Sequence, residues 1–562
     1  MSSIDERSPL LRPGASQHIG RRTRLLVSGL ALLLLFVGAV GCVAIMLRLL
    51  RRFAAPPLAL TPLVHSEEVR SLKNTEHRYD AIVIGGGPAG SVVAKLLSDD
   101  PWRRVLLIEA GNASQAQLGG KASGDCDRDS IPSPLNTKGL TPFDVPFYWT
   151  NVANTPSLHW AYPDVNVAKA LGGCGIHNAM LYVRALPSDM GRWKMAKWTW
   201  EKAAAKTFLG PILDSETAQS TRSNFRLMLD TTVTKISIND KNVTEGAEVR
   251  YGNGTVQLIR LAKHGEVIVT AGAINTPKIL MLSGLGHRDT LKKAGLPLKK
   301  HLPRVGMNLQ DHPVVGMIFE CKAPRIVDLK ADLDSYFKAT NTKQANISSF
   351  GLFGSAGIGA GAFLIPPGST IPEIQLTLFP RKSEPHMSTN AGLNHLDQIV
   401  ITIALLHPLA RNRVVLIHDD SDSVDDNDID DHLIPRIVSE VPEAKPEHLR
   451  QGDVWKISWA IGVVREIAAK LADHCNSLTA EKNVIGRELS PGEEVASSKD
   501  LNGWVFDNVF RNSHWVGTAS MAKSEVEGVQ TVLHSSCEKI LHDTDGVLRQ
   551  TTSSLLSYFK YM

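Results

Sequence analysis

No two of the chain's six cysteines (Cys42, Cys126, Cys174, Cys321, Cys475, Cys537) form a C-x-x-C pair. Scattered in this way, they indicate neither a zinc site nor a dense disulfide framework. An excess of charge is missing too: 61 Lys and Arg stand against 57 Asp and Glu, leaving a formal net charge of +4. No basic stripe with interleaved aromatics runs through it, so nucleic acid is not an expected partner. What the 562 residues do have is enough apolar content for two globular domains once the N-terminal region is set aside.

That N-terminal region holds a long apolar run without charge, Leu25 to Met46, flanked by Arg21, Arg22 and Arg24 before and Arg48, Arg51 and Arg52 after. Its length spans a bilayer core, whereas a cleaved signal peptide has a shorter apolar part and a small-residue exit. The expectation is a cytosolic tail over 1–24, a transmembrane anchor over 25–47 and a linker over 48–78. Arginines on both sides leave the orientation open. Glu6-Arg7-Ser8-Pro9-Leu10-Leu11 looks like an acidic dileucine signal of the endosomal and lysosomal or vacuolar route. It would place the N-terminus in the cytosol and the catalytic region in the lumen. Four sequons, at Asn112, Asn242, Asn253 and Asn346, suit a lumen but are near chance frequency.

Tyr79 to Gly111 organises the folded part. Ala81 to Ile84 is a short apolar, β-branched run of the buried parallel-strand type. Gly85, Gly87 and Gly90 follow in G-x-G-x-x-G spacing: one for the tight turn, one for close approach to a pyrophosphate, one for helix–strand packing. Ser91 to Leu97 begins a helix whose N-terminal N–H groups attract phosphate. Val105 to Ile108 is a second strand ending at Glu109, where an acid holds ribose hydroxyls. A glycine turn in a plain βαβ unit can be purely structural. The complete ordered set points instead to dinucleotide binding. Glu109 disfavours NADP, whose 2′-phosphate it repels, and leaves FAD and NAD.

Lys169 to Arg184 reads KALGGCGIHNAMLYVR. Together with the βαβ unit it closely resembles the first signature of the glucose–methanol–choline (GMC) oxidoreductases, a family of FAD enzymes. Gly272 to Gly286, GAINTPKILMLSGLG, matches the second family signature throughout. The resemblance implies an α/β fold, with a Rossmann-like FAD-binding domain over 79–313 and an antiparallel-sheet substrate domain over 314–500. A return to the FAD domain over 501–532 would carry the catalytic histidine, followed by a divergent C-terminus over 533–562. It assigns Ala170, Gly172, Gly173, His177, Asn178, Ala179, Met180, Leu181 and Val233 to the cofactor, beside the four residues of the βαβ unit. The stretch GGCGIHN also resembles the GGCSSHN of choline oxidases, whose histidine is bonded to the flavin. His177 is therefore a candidate for a covalent link, with simple hydrogen bonding as the alternative.

Asn512 to Thr518, NSHWVGT, resembles the segment carrying the family's catalytic histidine, which makes His514 the candidate general base. His312, in VGMNLQDHP, reads as structural. The family's second catalytic residue, expected later in the chain, is not recognisable. A long family segment is also missing near 200–208, where WTWEKAAAKTFLGPIL joins its flanks almost directly. The acidic run Asp419 to Asp431 has Asp431 where a calcium loop needs glycine, so a solvated loop is expected and no metal. The expected function is oxidation of a small-molecule alcohol to a carbonyl, with oxygen or another acceptor reoxidising the flavin. The alternatives are a non-redox FAD lyase resembling hydroxynitrile lyases, or a catalytically incomplete family member.

Overall fold

The structure, a computed structural model, describes residues 78–112, 159–162, 165–176, 208–213, 220–321, 358–379, 398–418, 433–440, 449–478 and 485–520. The apolar run 25–47, the dileucine signal, residues 177–181, the tryptophan-rich joint, the acidic run 419–431 and residues 521–562 lie outside them. Among the described residues no helix is long and apolar enough to cross a membrane.

The aliphatic run Ala81–Ile84 makes the buried half of β1 (Arg78–Ile84), and the crossover helix α1 (Pro88–Leu97) leads to β2 (Val105–Ile108). The two strands run parallel, from Ala81 opposite Val105 to Ile84 opposite Ile108. On the far side of β2, β3 (Phe225–Met228) adds a third parallel strand. Then β4 (Thr231–Ile238), β5 (Thr244–Tyr251) and β6 (Val256–Val269) form an antiparallel meander, and β6 closes in parallel on β1. The sheet order is β3-β2-β1-β6-β5-β4. Alternation along β1 feeds two cores: Ile82 and Ile84 pack on one face, Ala81 and Val83 on the other. Both faces are thus apolar, as a parallel sheet covered on each side requires.

The stretch Phe225 to Ile238 is broken at Leu229 and Asp230, where Asp230 adopts φ 49°. Gly265 to Ala271 gives only the second half of β6, whose first half pairs with β5 from Arg250↔Val256 to Gly246↔Arg260. Arg260, Lys263 and His264 interrupt the apolar pattern there and conceal the strand. Ala271 caps the helix α2 (Gly272–Leu282), which buries Ile279, Leu280 and Met281 in the first core. A short parallel pair, β7 (Leu285–Gly286) and β8 (Lys300–His301), flanks α3 (Arg288–Lys293).

The second sheet begins with β9 (Pro313–Cys321) and continues through β10 (Ala360–Leu364), β11 (Ile374–Phe379) and β12 (Gln398–Leu405). After the hairpin β13 (Asn412–His418) and β14 (Leu433–Ser439), the chain forms α4 (Gln451–Leu478) and β15 (Ile485–Ser490). It then forms α5 (Ser498–Asn508) and the short β16 (Phe510–Arg511). The order is β10-β11-β12-β9-β15, with β16 also on β9, and every pairing is antiparallel.

The expected sheet over 314–500 is present, but that span does more than build it. The hairpin β13–β14 contributes Val414, Leu416, Leu433 and Ile437 to the first core. The long helix α4 was not among the expectations. Its Val454, Ile457, Ala460, Ile461, Val464 and Ala468 recur at helical spacing and pack beneath β9, β11 and β12. Because Ile461 is fully buried, Ile461→Ala is expected to cost about 2–5 kcal/mol in denaturant unfolding. A loss below about 1 kcal/mol would show that α4 does not pack against the sheet as described.

Candidate active site

Two groups of residues are built at the ends of these strands. The first lies where β1, β2 and β6 finish. At the start of α1, a Cβ on Gly90 would sit 1.9 Å from the carbonyl oxygen of Gly85, so only glycine lets the helix meet the strand here. The Gly172 N–H donates to the Gly86 carbonyl at 2.8 Å and joins the two glycine-rich loops. Across that junction, the nearest heavy atom to a Cβ built on Gly87 is the Gly173 Cα, at 4.0 Å. At Gly87 and Gly173 the two loops approach backbone to backbone. Helix α1 opens at Gly87 with no side-chain cap and no acid in its first turn. Its positive dipole end is left for an anion.

Glu109 closes this group. It is buried, and its carboxylate accepts the Gly86 N–H on Oε2 at 2.7 Å and the Gly111 N–H on Oε1 at 2.9 Å. Each oxygen keeps a further lone pair for a hydroxyl donor. Burial pushes this carboxyl up to about 7, against the opposing pull of the Gly111, Gly86 and Ala110 amides and of Lys169. The Thr231 N–H bonds the Glu109 carbonyl at 3.1 Å and holds the start of β4 here, two residues before Val233. Val233 itself is buried opposite Val249. Ala170 joins Asn112 in an isolated parallel bridge, which completes the ring of contacts. Gly85, Gly87, Gly90, Glu109, Ala170, Gly172, Gly173 and the β4 strand of Val233 are therefore neighbours. His177, Asn178, Ala179, Met180 and Leu181 lie outside the described residues.

The second group is at the edge of the second sheet. The pairings Phe510↔Val314 and Arg511↔Pro313 lay the strap after β16 beside the segment before β9. The Asn512 N–H reaches the His312 carbonyl at 3.2 Å, and Gln310 and Val516 exchange N–H···O bonds at 2.9 and 3.1 Å. This pairing brings His514 and His312 ring to ring, Nδ1 to Nδ1 at 3.0 Å in an edge-to-face geometry. The Asn512 Nδ2 also lies 3.2 Å from the His514 Nδ1. His514 has one side open to solvent, while the packing beneath it lowers its pKa and the Asp311 charge raises it. His312 is driven down to about 4, first by burial and then by the neighbouring His514 and His407. The strap is anchored to the first group by the Thr518 hydroxyl, which donates to the Ala273 carbonyl in the first turn of α2 at 2.6 Å.

His312 is what the sequence reading undervalued. Its motif marked a turn, and only the strand pairing that brings the strap alongside reveals its ring partner.

Comparison with known proteins finds relatives in sequence and in fold. The sequence pattern of the GMC oxidoreductases matches residues 216–314. An alcohol dehydrogenase [acceptor] of Pseudomonas putida is 24% identical, over 81% of this chain and 88% of its own length. An oxygen-dependent choline dehydrogenase of Citrobacter koseri is 26% identical, over 80% and 87%. These likenesses support a GMC-type FAD oxidoreductase. Among solved structures, formate oxidase superposes with a TM-score of 0.59 at 18% identity, covering 81% of this chain and 91% of that one. Pyridoxine 4-oxidase from Mesorbium loti gives 0.55 at 18% identity, over 80% and 90%. These two likenesses concern the fold.

The residues of the first group fit FAD: two glycine-rich loops in close backbone approach for the pyrophosphate, a helix N-terminus without a side-chain cap, and a carboxylate at the ribose position. In the FAD-free protein, Glu109 binds a proton that the unfolded chain releases near 4.5. Stability should therefore fall as pH rises from 4.5 to about 7, by on the order of 3 kcal/mol. Melting curves of the FAD-free protein across that window should show the slope, and Glu109→Gln should flatten it. An unchanged slope in the variant would assign it to another group.

Proposed function

We propose that this oxidoreductase removes hydrogen from the CH–OH group of a small alcohol, with His514 as the general base. The observation that carries the reading is the imidazole pair. A hydrogen bond between two Nδ1 atoms needs the proton on one of them. His312, with its pKa near 4, is neutral at physiological pH and can accept that bond. With the proton on the His514 Nδ1, and the Asn512 amide turned so that its Oδ1 rather than its Nδ2 faces that atom, the lone pair of the His514 Nε2 is available for an alcohol O–H. FAD, when bound, supplies the hydride acceptor. The chain's own share is to take the proton at Nε2, to share the resulting positive charge along Nδ1–H toward His312, and to hold both rings in place. The names of the relatives, an alcohol dehydrogenase and a choline dehydrogenase, support an alcohol donor. Oxygen or another acceptor would then reoxidise the flavin.

In the same reading His177, which directly follows the described turn 165–176, is the site of a covalent bond to the flavin, and residues 25–47 anchor the chain in an endomembrane with the catalytic part in the lumen. Acid precipitation of the FAD-loaded protein should leave the yellow colour in the pellet, and His177→Ala should release it to the supernatant. Colour released from the wild type would sink the covalent bond.

The base assignment is tested by anaerobic bleaching of the flavin with benzyl alcohol and with choline. His514→Gln is expected to slow bleaching by about 10²–10⁴-fold. Bleaching at the wild-type rate would remove His514 from the role. An alcohol or cyanohydrin consumed with no bleaching at all would indicate the lyase instead.

A further inference from the structure

Asp311 is 5% exposed and sits one residue before His312. Its carboxylate meets backbone and leaves both imidazoles alone. Oδ1 accepts the N–H groups of His312 at 2.8 Å and His514 at 2.7 Å, and Oδ2 accepts that of Ser513 at 3.1 Å. One side chain therefore bridges two segments that are 202 and 203 residues apart.

The strap is bent to make this possible. Aiming the consecutive N–H groups of Ser513 and His514 at one carboxylate takes Ser513 into the left-handed region, with φ 58°. A residue with a Cβ adopts that conformation only when its surroundings demand it. Successive N–H groups converging on an anion form a nest, and here the anion is built into the chain. The effect also reaches the rings. With both backbones held by one group, the His514 and His312 rings have little freedom to part.

We propose that Asp311 is the positioning residue of this site, a buried carboxylate that staples the strap of His514 to the segment of His312 and thereby creates the imidazole pair. The staple also supplies a fixed negative charge that favours the protonated form of His514. Among the described residues, the titratable or charged groups on the elements packed here include His312 on its own segment, His407 just past β12, which acts on His312, and Arg511 on β16, whose guanidinium lies over the Trp515 ring. None of these can replace the three bonds. Asparagine at 311 would offer one acceptor oxygen and turn an NH₂ toward donors. The consequence for turnover rests on His514 being the base; the stapling does not.

The test uses the full-length, FAD-loaded protein with histidines labelled at ¹³Cε1, titrated by NMR. Four forms are compared: wild type, His312→Gln, Asp311→Asn and the double variant. In the wild-type background, His312→Gln should move the His514 midpoint, because the rings are coupled. Asp311→Asn should lower that midpoint by about one pH unit and abolish the response to His312→Gln. An equal response in the Asp311→Asn background would show that the rings stay paired without the staple, and would overturn the proposal.

Should Asp311→Asn fold poorly, Ser513→Gly is added, since glycine accepts the left-handed turn without strain. That variant should regain its melting temperature while the coupling stays lost; coupling retained in it overturns the proposal equally. Flavin bleaching unaffected by His514→Gln would fall on the base assignment alone, because the titration measures ring pairing whatever His514 does in turnover.

Discussion

The parallel pairing of β1 between β2 and β6 is the constraint on which the site depends. It aligns Gly85, Glu109 and Thr270 in one row, each the first residue after its strand. Hydrogen bonds across the row fix it: the Gly85 N–H meets the Ile108 carbonyl, and the Thr270 N–H meets that of Ile84, each at 2.8 Å. A slip of one residue would exchange Ile82 and Ile84 with Ala81 and Val83 between the two cores. It would also carry Glu109 away from the Gly86 amide. Burial of both faces therefore specifies the register, and the register specifies the cofactor end of the site.

The second sheet plays a different part. Its central strand β9 receives β12 on one side and β15 and β16 on the other. Pairing of β16 with the first residues of β9 is what delivers the strap to His312. The helix α4 supports the sheet from below, and the bidentate Arg465–Glu488 ion pair ties it to β15, with both contacts at 2.8 Å. The Arg465 Nη2 also donates to the carbonyls of Gly492 and Val495. That network helps hold the platform on which β9 and β16 pair.

Desolvation sets the electrostatic character of both groups. It is the largest influence on Glu109, Asp311, His312 and His514, and in each it favours the neutral form. The two carboxyls are drawn back toward ionisation by backbone amides: Gly86, Ala110 and Gly111 for Glu109, and His312, Ser513 and His514 for Asp311. The histidines have no such support from amides, and His312 is the more strongly displaced. Oriented peptide dipoles thus offset part of the cost of ionising two buried carboxyls, while both imidazoles are pushed toward the neutral form that can accept a proton.

Much of the cofactor end was legible in the sequence, because its parts are local. Strand, glycine turn, helix and terminal acid follow within about one βαβ unit, and each has a periodicity or a steric demand of its own. The β4–β5–β6 meander was only partly legible, since charged residues in β6 face solvent and break the apolar pattern. The apolar spacing of helix α4 is itself a helical signal, set among strand-like segments. His514 stands out through resemblance, but its partner does not. Propensity and periodicity act over a few neighbours, which is why a nucleotide-binding turn and a two-faced parallel strand can be read from residues alone. That Asp311, His312 and His514 meet follows from the folded arrangement instead. Their contact spans some two hundred residues and exists only once β9 and β16 have paired, and no local pattern encodes a contact that chain closure must first create.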